Sequence, residues 1–159
     1  MVLRAVTVDT NVLMHADNPN ETEFAAAVQF LQQLSRASTL LSMDEGFCLD
    51  TSKNKSRIGH EYLERLVFGG AGYAILTHLA LTGRIDAVCC KSIPLAIKRK
   101  LNQIVSNVRD RTFLLVTCGA KEKFLVSHDF RDFSVRKRTL IKKQFAVDVK
   151  TAAEALGHI

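Results

Sequence analysis

The sequence predicts an α/β protein: a three-layer α/β/α sandwich around a central, mostly parallel sheet of about five strands. Three observations lead there. Short apolar runs at residues 4–9, 39–43, 87–90, 123–127 and 145–149 are separated by segments of helical periodicity. The first run is apolar on both faces, as the middle of a parallel sheet requires. Proline and glycine number only two and eight, which leaves little room for long irregular segments.

In chain order, residues 4–9 form the first strand, closing at Asp9. Residues 21–36 follow a helical rhythm through Phe24, Val28, Leu31 and Leu34, with Asn20 as the expected N-cap. Thr39–Met43 is the second strand, and Phe47–Leu49 suggests a further short extended piece. The polar stretch 50–56, DTSKNKS, has no periodicity and reads as an exposed loop. Helical spacing returns with Ile58, Tyr62 and Leu66, and again over Ala71–Leu81. Ala87–Cys90 is the third strand. Ile93-Pro94 opens a helix running through Leu101, and another covers Val108–Cys118. Strands at 123–127 and 145–149 follow, then a helical turn over Thr151–Leu156. A chain of 159 residues can bury a core as one domain, 1–159, without staples.

Lys and Arg outnumber Asp and Glu by 22 to 16, and the net charge of +6 favours an anionic partner, phosphate foremost. The cysteines, Cys48, Cys89, Cys90 and Cys118, include no Cys-x-x-Cys pair and no zinc-site spacing. They read as buried, reduced thiols of a cytoplasmic protein. Asp9 interrupts the first apolar run too early for a signal peptide. Residues 71–82 are too few to span a bilayer and contain His78, so no membrane partner is expected.

In open parallel sheets chemistry gathers at the carboxyl ends of strands. Asp9 follows the first strand, and Asp129 and Asp132 in SHDFRDF follow the fourth. Glu61 borders the apolar stripe of Ile58, Tyr62 and Leu66. Asp110 shares a helix face with Phe113, Leu114 and Thr117. Each acid also has a plain structural reading. Asp9 or Thr10 would cap a helix, Asp110 would suit the helix dipole, Glu61 would pair with Arg57 or Arg65, and Asp129 and Asp132 would form turns.

Convergence would be costly. Three carboxylates roughly 5 Å apart repel by about 3 kcal/mol per pair at an effective dielectric near 20. Protonation, a lysine or arginine, or a cation would relieve this. No lysine neighbours Asp9 in the sequence, and Arg4 sits at the far end of its strand, so a divalent ion bound by hard oxygens is the economical answer. Carboxylates without Cys or His ligands favour Mg²⁺ or Mn²⁺ over Zn²⁺.

Four motifs together resemble the PIN domain family, nucleases found among bacterial toxins and RNA-processing enzymes. VTVDTNVLMHA is similar to its first strand with Asp-Thr-Asn, and IGHEYLERL to its helical acid followed by an aromatic. VRDRTFLLVTCGA resembles its third-acid helix, and KFLVSHDFRDF its late strand ending in Asp-x-x-Asp-Phe. The resemblance implies a Mg²⁺- or Mn²⁺-dependent endoribonuclease. Asp9, Glu61, Asp110 and Asp129 would be its catalytic, metal-holding acids, and Asp132 a substitute for the fourth. Thr10, Asn11 and Ser127 match the small polar residues that orient them. RNA is the implied partner, along with a second copy of the chain and, for a toxin, a cognate antitoxin.

Phosphate contacts are expected from Lys53, Lys55 and Arg57, then Arg131, Arg136, Lys137 and Arg138, the latter group reading equally well as a solvated helix face. His15, His60 and His128 lie near the site in sequence. The insert 44–56, with Asp44 and Asp50, departs from a minimal toxin. Asn11, where a dehalogenase-type phosphatase needs Asp, and the lack of acids before Asp9 argue against two other acid-after-strand classes. A non-catalytic RNA-binding module on the same fold is the alternative.

Overall fold

The computed structural model describes residues 2–159. Five strands form one sheet: β1 (Ala5–Val8), β2 (Leu40–Asp44), β3 (Ile85–Val88), β4 (Phe124–Val126) and β5 (Asp148–Lys150). Their order is β3-β2-β1-β4-β5, and every neighbouring pair is parallel. The helices are α1 (Thr10–His15), α2 (Phe24–Arg36), α3 (Arg57–Arg65), α4 (Ala71–Leu81), α5 (Leu95–Ile104), α6 (Val108–Gly119), α7 (Val135–Phe145) and α8 (Ala152–Ala155).

The chain moves outward from β1 through β2 to β3, then returns to place β4 on the other side of β1. Right-handed crossovers put α2 and α4 on one face and α5, α6 and α7 on the other, giving three layers. Packing agrees: α2 lies with α1, α4 and α8, whereas α6 covers β1, β2 and β4 with α5 against it. α3 touches both α1 and α6, so it sits where the two helical layers approach each other. The winding reverses between β1 and β4, the place where open sheets form their crevice.

Register aligns the carboxyl edge. Ala5 lies opposite Leu40, and Val8 opposite Val126, so Asp44 and Ser127 both come level with Asp9. All four β1 residues are buried. Val6, Val8, Leu41, Met43, Leu125 and Val126 form the strand contribution to the core, with Phe30, Leu34, Tyr62, Phe113 and Leu114 from the helices. Each such side chain contributes about 1.5–3 kcal/mol by leaving water.

The segment before α3 is knit more tightly than a free loop. Asp44 accepts hydrogen bonds from the Ser56 hydroxyl (2.6 Å) and from the N–H groups of Arg57 (2.7 Å) and Ile58 (3.0 Å). Ser56 in turn accepts from the Gly59 N–H at 2.8 Å. The free donors of the first turn of α3 are thus satisfied by the end of β2. Gly59 lets Phe47 and Asn54 close over the helix, since a Cβ there would lie 2.5 Å from the Phe47 ring.

Several boundaries differ from the sequence expectation. The second helix starts at Phe24 with Glu23 at the cap, not Asn20, whose N–H bonds Asn18 in a turn at 3.2 Å. β3 begins two residues early, and Cys90 enters a 3₁₀ turn, Cys90–Ser92. Phe47–Leu49 forms no strand; its backbone lies in the loop held by Asn54, which accepts from the Cys48 N–H at 3.2 Å. The last strand is Asp148–Lys150, because α7 runs through Phe145 and ends on a left-handed Ala146 (φ 58°). The cysteines are free, but none is fully buried, and Cys89 is exposed where edge strand β3 ends. No described helix is long and apolar enough to cross a membrane.

Candidate functional site

Asp9 stands at the carboxyl end of β1, 3% exposed, in the N-cap position of α1. Its carboxylate does not cap that helix. Its Oδ2 instead accepts from the Ser127 hydroxyl at 2.7 Å and from Asn11 Nδ2 at 3.2 Å. The side-chain oxygen of Asn11 accepts the His128 N–H at 3.0 Å, tying α1 to the loop after β4. Of the small polar residues expected to orient the acids, Thr10 serves Glu61 and not Asp9: its hydroxyl donates to Glu61 Oε1 at 2.8 Å. The reason is local: Thr10 opens α1, which packs against α3. Glu61 also meets Arg65 at 3.5 Å, whereas Arg57 is not its partner. The Tyr62 hydroxyl bonds the Val8 carbonyl and pins α3 to the strand end.

Asp110, Asp129 and Asp132 converge more closely, with one carboxylate oxygen of each within 4.8 Å of the others. Asp110 reaches the cluster from the first turn of α6, whose cap Asn107 accepts from the Arg109 N–H at 2.9 Å. Asp129 Oδ1 closes a turn by accepting from the N–H groups of Arg131 (2.9 Å) and Asp132 (2.8 Å). The turn-forming reading of Asp129 therefore holds for that oxygen, and the turn aims Asp132 inward. Asp132 is fully buried; its Oδ1 accepts from Ser106 at 3.1 Å and from the Lys137 ammonium at 3.3 Å. Asp132 thus joins Asp129 in the cluster, while Asp9 and Glu61 lie outside this closest group.

Electrostatics link the acids. Burial pushes the Asp9 carboxyl up to about 6; the Ser127 bond opposes this, and the charges of Glu61 and Asp129 add to it. Burial, the facing Asp132 carboxyl and the surrounding acids push Asp110 up to about 8. Burial also raises Asp132, but its contact with Asp110 and its bonds with Ser106 and Lys137 outweigh that and hold it below the ordinary carboxylate value. The two carboxyls titrate as a pair, in which Asp110 is the more readily protonated. The Oδ2 atoms of Asp110 and Asp132 are buried with no hydrogen-bond donor among the described residues. Two orphaned hard oxygens in a cluster of acids fit a divalent cation such as Mg²⁺ or Mn²⁺.

His128 is buried, and its Nε2 accepts the Ala152 N–H at 3.1 Å. Its proton is thereby assigned to Nδ1, which donates to His15 Nδ1 at 2.9 Å. A neutral ring makes no ion pair with Glu23, 3.9 Å away. His60 is exposed on α3.

The expected phosphate-binding cations divide into two groups. Lys137 and Arg138 are not free, because they pair with Asp132 and Glu154. Arg138 also donates to the Phe133 carbonyl at 2.7 Å. Lys53 pairs with Asp50 in the loop. Lys55, Arg57, Arg131 and Arg136 are exposed, with no ion-pair partner among the described residues. Sequence reasoning did not find the Asp132–Lys137 pair, since the two are five residues apart across a helix cap and share no periodic face.

The fold and this edge define a doubly wound α/β protein with an acidic cluster at the β1/β4 switch point. No family model, curated protein or solved structure matches the chain.

Proposed function

We propose that the chain is a divalent-cation-dependent endoribonuclease of the PIN type, acting on single-stranded or structured RNA. The observation that carries this reading is the convergence of Asp110, Asp129 and Asp132, with two buried carboxylate oxygens that lack a donor among the described residues. Asp110, Asp129 and Asp132 would hold Mg²⁺ or Mn²⁺, with Asp9 and Glu61 forming the adjoining acidic wall. When bound, such an ion polarises a phosphoryl oxygen and lowers the pKa of its water. Ser127 and Asn11 orient Asp9, Thr10 orients Glu61, and Lys137 fixes Asp132. For a toxin, a second copy of the chain and a cognate antitoxin would be further partners, and the apolar cleft between α2 and α4 offers a surface for protein contact.

A second reading, a non-catalytic RNA-binding module, draws support from Lys137. Its ammonium already offsets one charge of the cluster, and Glu61 is engaged by Thr10 and Arg65. Incubation with labelled single-stranded RNA separates the two. Cleavage in Mg²⁺ or Mn²⁺ that stops with EDTA and is lost in Asp110→Asn supports the nuclease. RNA binding without cleavage supports the module, and cleavage persisting in EDTA refutes the metal-dependent assignment.

A further inference from the structure

Beside the acids, three surface clefts adjoin, and Arg57 and Thr112 line all of them. One lies between the loop before α3, the turn after β3 and helices α5 and α6. The second runs between α5 and α6, and the third between α3 and α6, where Glu61 forms part of the wall. Together they make one groove that opens next to the acidic edge.

Its cations are Lys55, Arg57, Lys91, Lys98, Arg109 and Arg111. None of the six forms an ion pair among the described residues. The acids on its walls are Asp44, Glu45, Glu61 and Glu64, of which Asp44 is already engaged by three donors at the start of α3. Arg111 is held by its Nε bond to the Val105 carbonyl at 2.6 Å, which leaves its charge uncompensated. On α7, by contrast, Lys137 and Arg138 are consumed by internal pairs.

We propose that this groove between α3, α5 and α6 binds the sugar-phosphate backbone of a single-stranded RNA and leads it to the acidic edge. The inference rests on the RNA reading above but not on catalysis. Unpaired cations along a groove follow a phosphate backbone without reading its sequence, and they make affinity depend on salt. Sequence reasoning had picked out only Lys55 and Arg57 of this set, because Lys91, Lys98 and the α6 pair Arg109 and Arg111 come from three separate elements.

The test is fluorescence anisotropy of a short, labelled, mixed-sequence single-stranded RNA in EDTA, over a salt series. Lys98→Glu/Arg109→Glu is compared with Lys121→Glu/Lys123→Glu, an equal charge change at the entry to β4. The groove variant should bind roughly tenfold more weakly, with a salt slope shallower by about 1.4 for two lost phosphate contacts. The milder Lys98→Gln/Arg109→Gln serves if the reversal fails to fold, with the loss expected in the same direction. Equal losses in both charge-reversal variants, no RNA binding by the wild type, or equal competition by polyglutamate would each overturn the proposal. Binding that follows the groove without any metal-dependent cleavage would refute the nuclease and leave the groove standing.

Discussion

The Ser127 hydroxyl donates to Asp9 Oδ2 at 2.7 Å across the seam between β1 and β4, and Ser127 Oγ itself accepts the Asp129 N–H at 3.0 Å. One hydroxyl therefore orients the acid of the central strand and anchors the turn carrying Asp129 and Asp132. Ser127→Ala should cost about 1–3 kcal/mol near neutral pH, the penalty for leaving buried groups without partners. The loss should shrink in acid, where Asp9 is protonated. Urea titrations at two pH values check this; an equal loss at both would mean that the hydroxyl serves only the turn.

Asp9→Asn should stabilise the cation-free protein near pH 7. The folded-state value, about 6, lies above the ordinary 3.8. Folding is therefore unpenalised below 3.8, and stability is lost as pH rises toward 6. The full penalty is about 3 kcal/mol. Asparagine can still accept from Ser127 and Asn11, so the variant should melt higher than wild type in EDTA near pH 7 and equally near pH 4. A lower melting temperature at neutral pH would make Asp9 a structural residue.

Lys137→Met should destabilise the protein by about 1.5–3 kcal/mol at neutral pH, since it strips from a buried carboxylate its one ion-pair partner among the described residues. Without the ammonium, Asp132 should titrate higher. Mg²⁺ should then raise the melting temperature more than in wild type, as the vacated charge is replaced. A smaller Mg²⁺ effect would place the ion away from Asp132.

His128 should remain neutral through mildly acidic pH, with its proton on Nδ1. Burial, His15 and Arg138 hold its pKa down to about 4. Its contribution to stability is full above 6.5 and is lost as pH falls toward 4, the opposite sign to Asp9. The two effects offset each other in the wild type, so single variants must be compared. Nitrogen-edited NMR reads the tautomer directly; an ordinary titration near 6.5 would contradict the buried pair.

The sheet was legible because each short apolar run is flanked by helical spacing, and Asp9 interrupts the first run where the strand meets its open edge. What escaped was set by tertiary contacts. Phe145 and Val147 are apolar enough for a strand, yet Phe145 completes a lysine-rich helix and only Asp148–Lys150 pairs with β4. Asn20 is a good cap by type, but the turn bond to Asn18 places it outside the helix. The partners of Thr10 and Lys137 depend on how helices meet, which residue spacing does not encode. The acids at strand ends could be anticipated, whereas the tight grouping of Asp132 with Asp110 depends on the turn that Asp129 builds.

Phe47, Asn54 and Gly59 give the insert before α3 a mechanical role. The loop lies on the helix with no space for a single added methyl, and Asp44 clasps the same helix from the sheet. Loop, strand end and helix are fastened together as one strut, with Glu61 midway along its helix. A deletion within 45–55 would tilt the strut, and a tether fastened at Lys55 would pull on an acid of the site through bone instead of string.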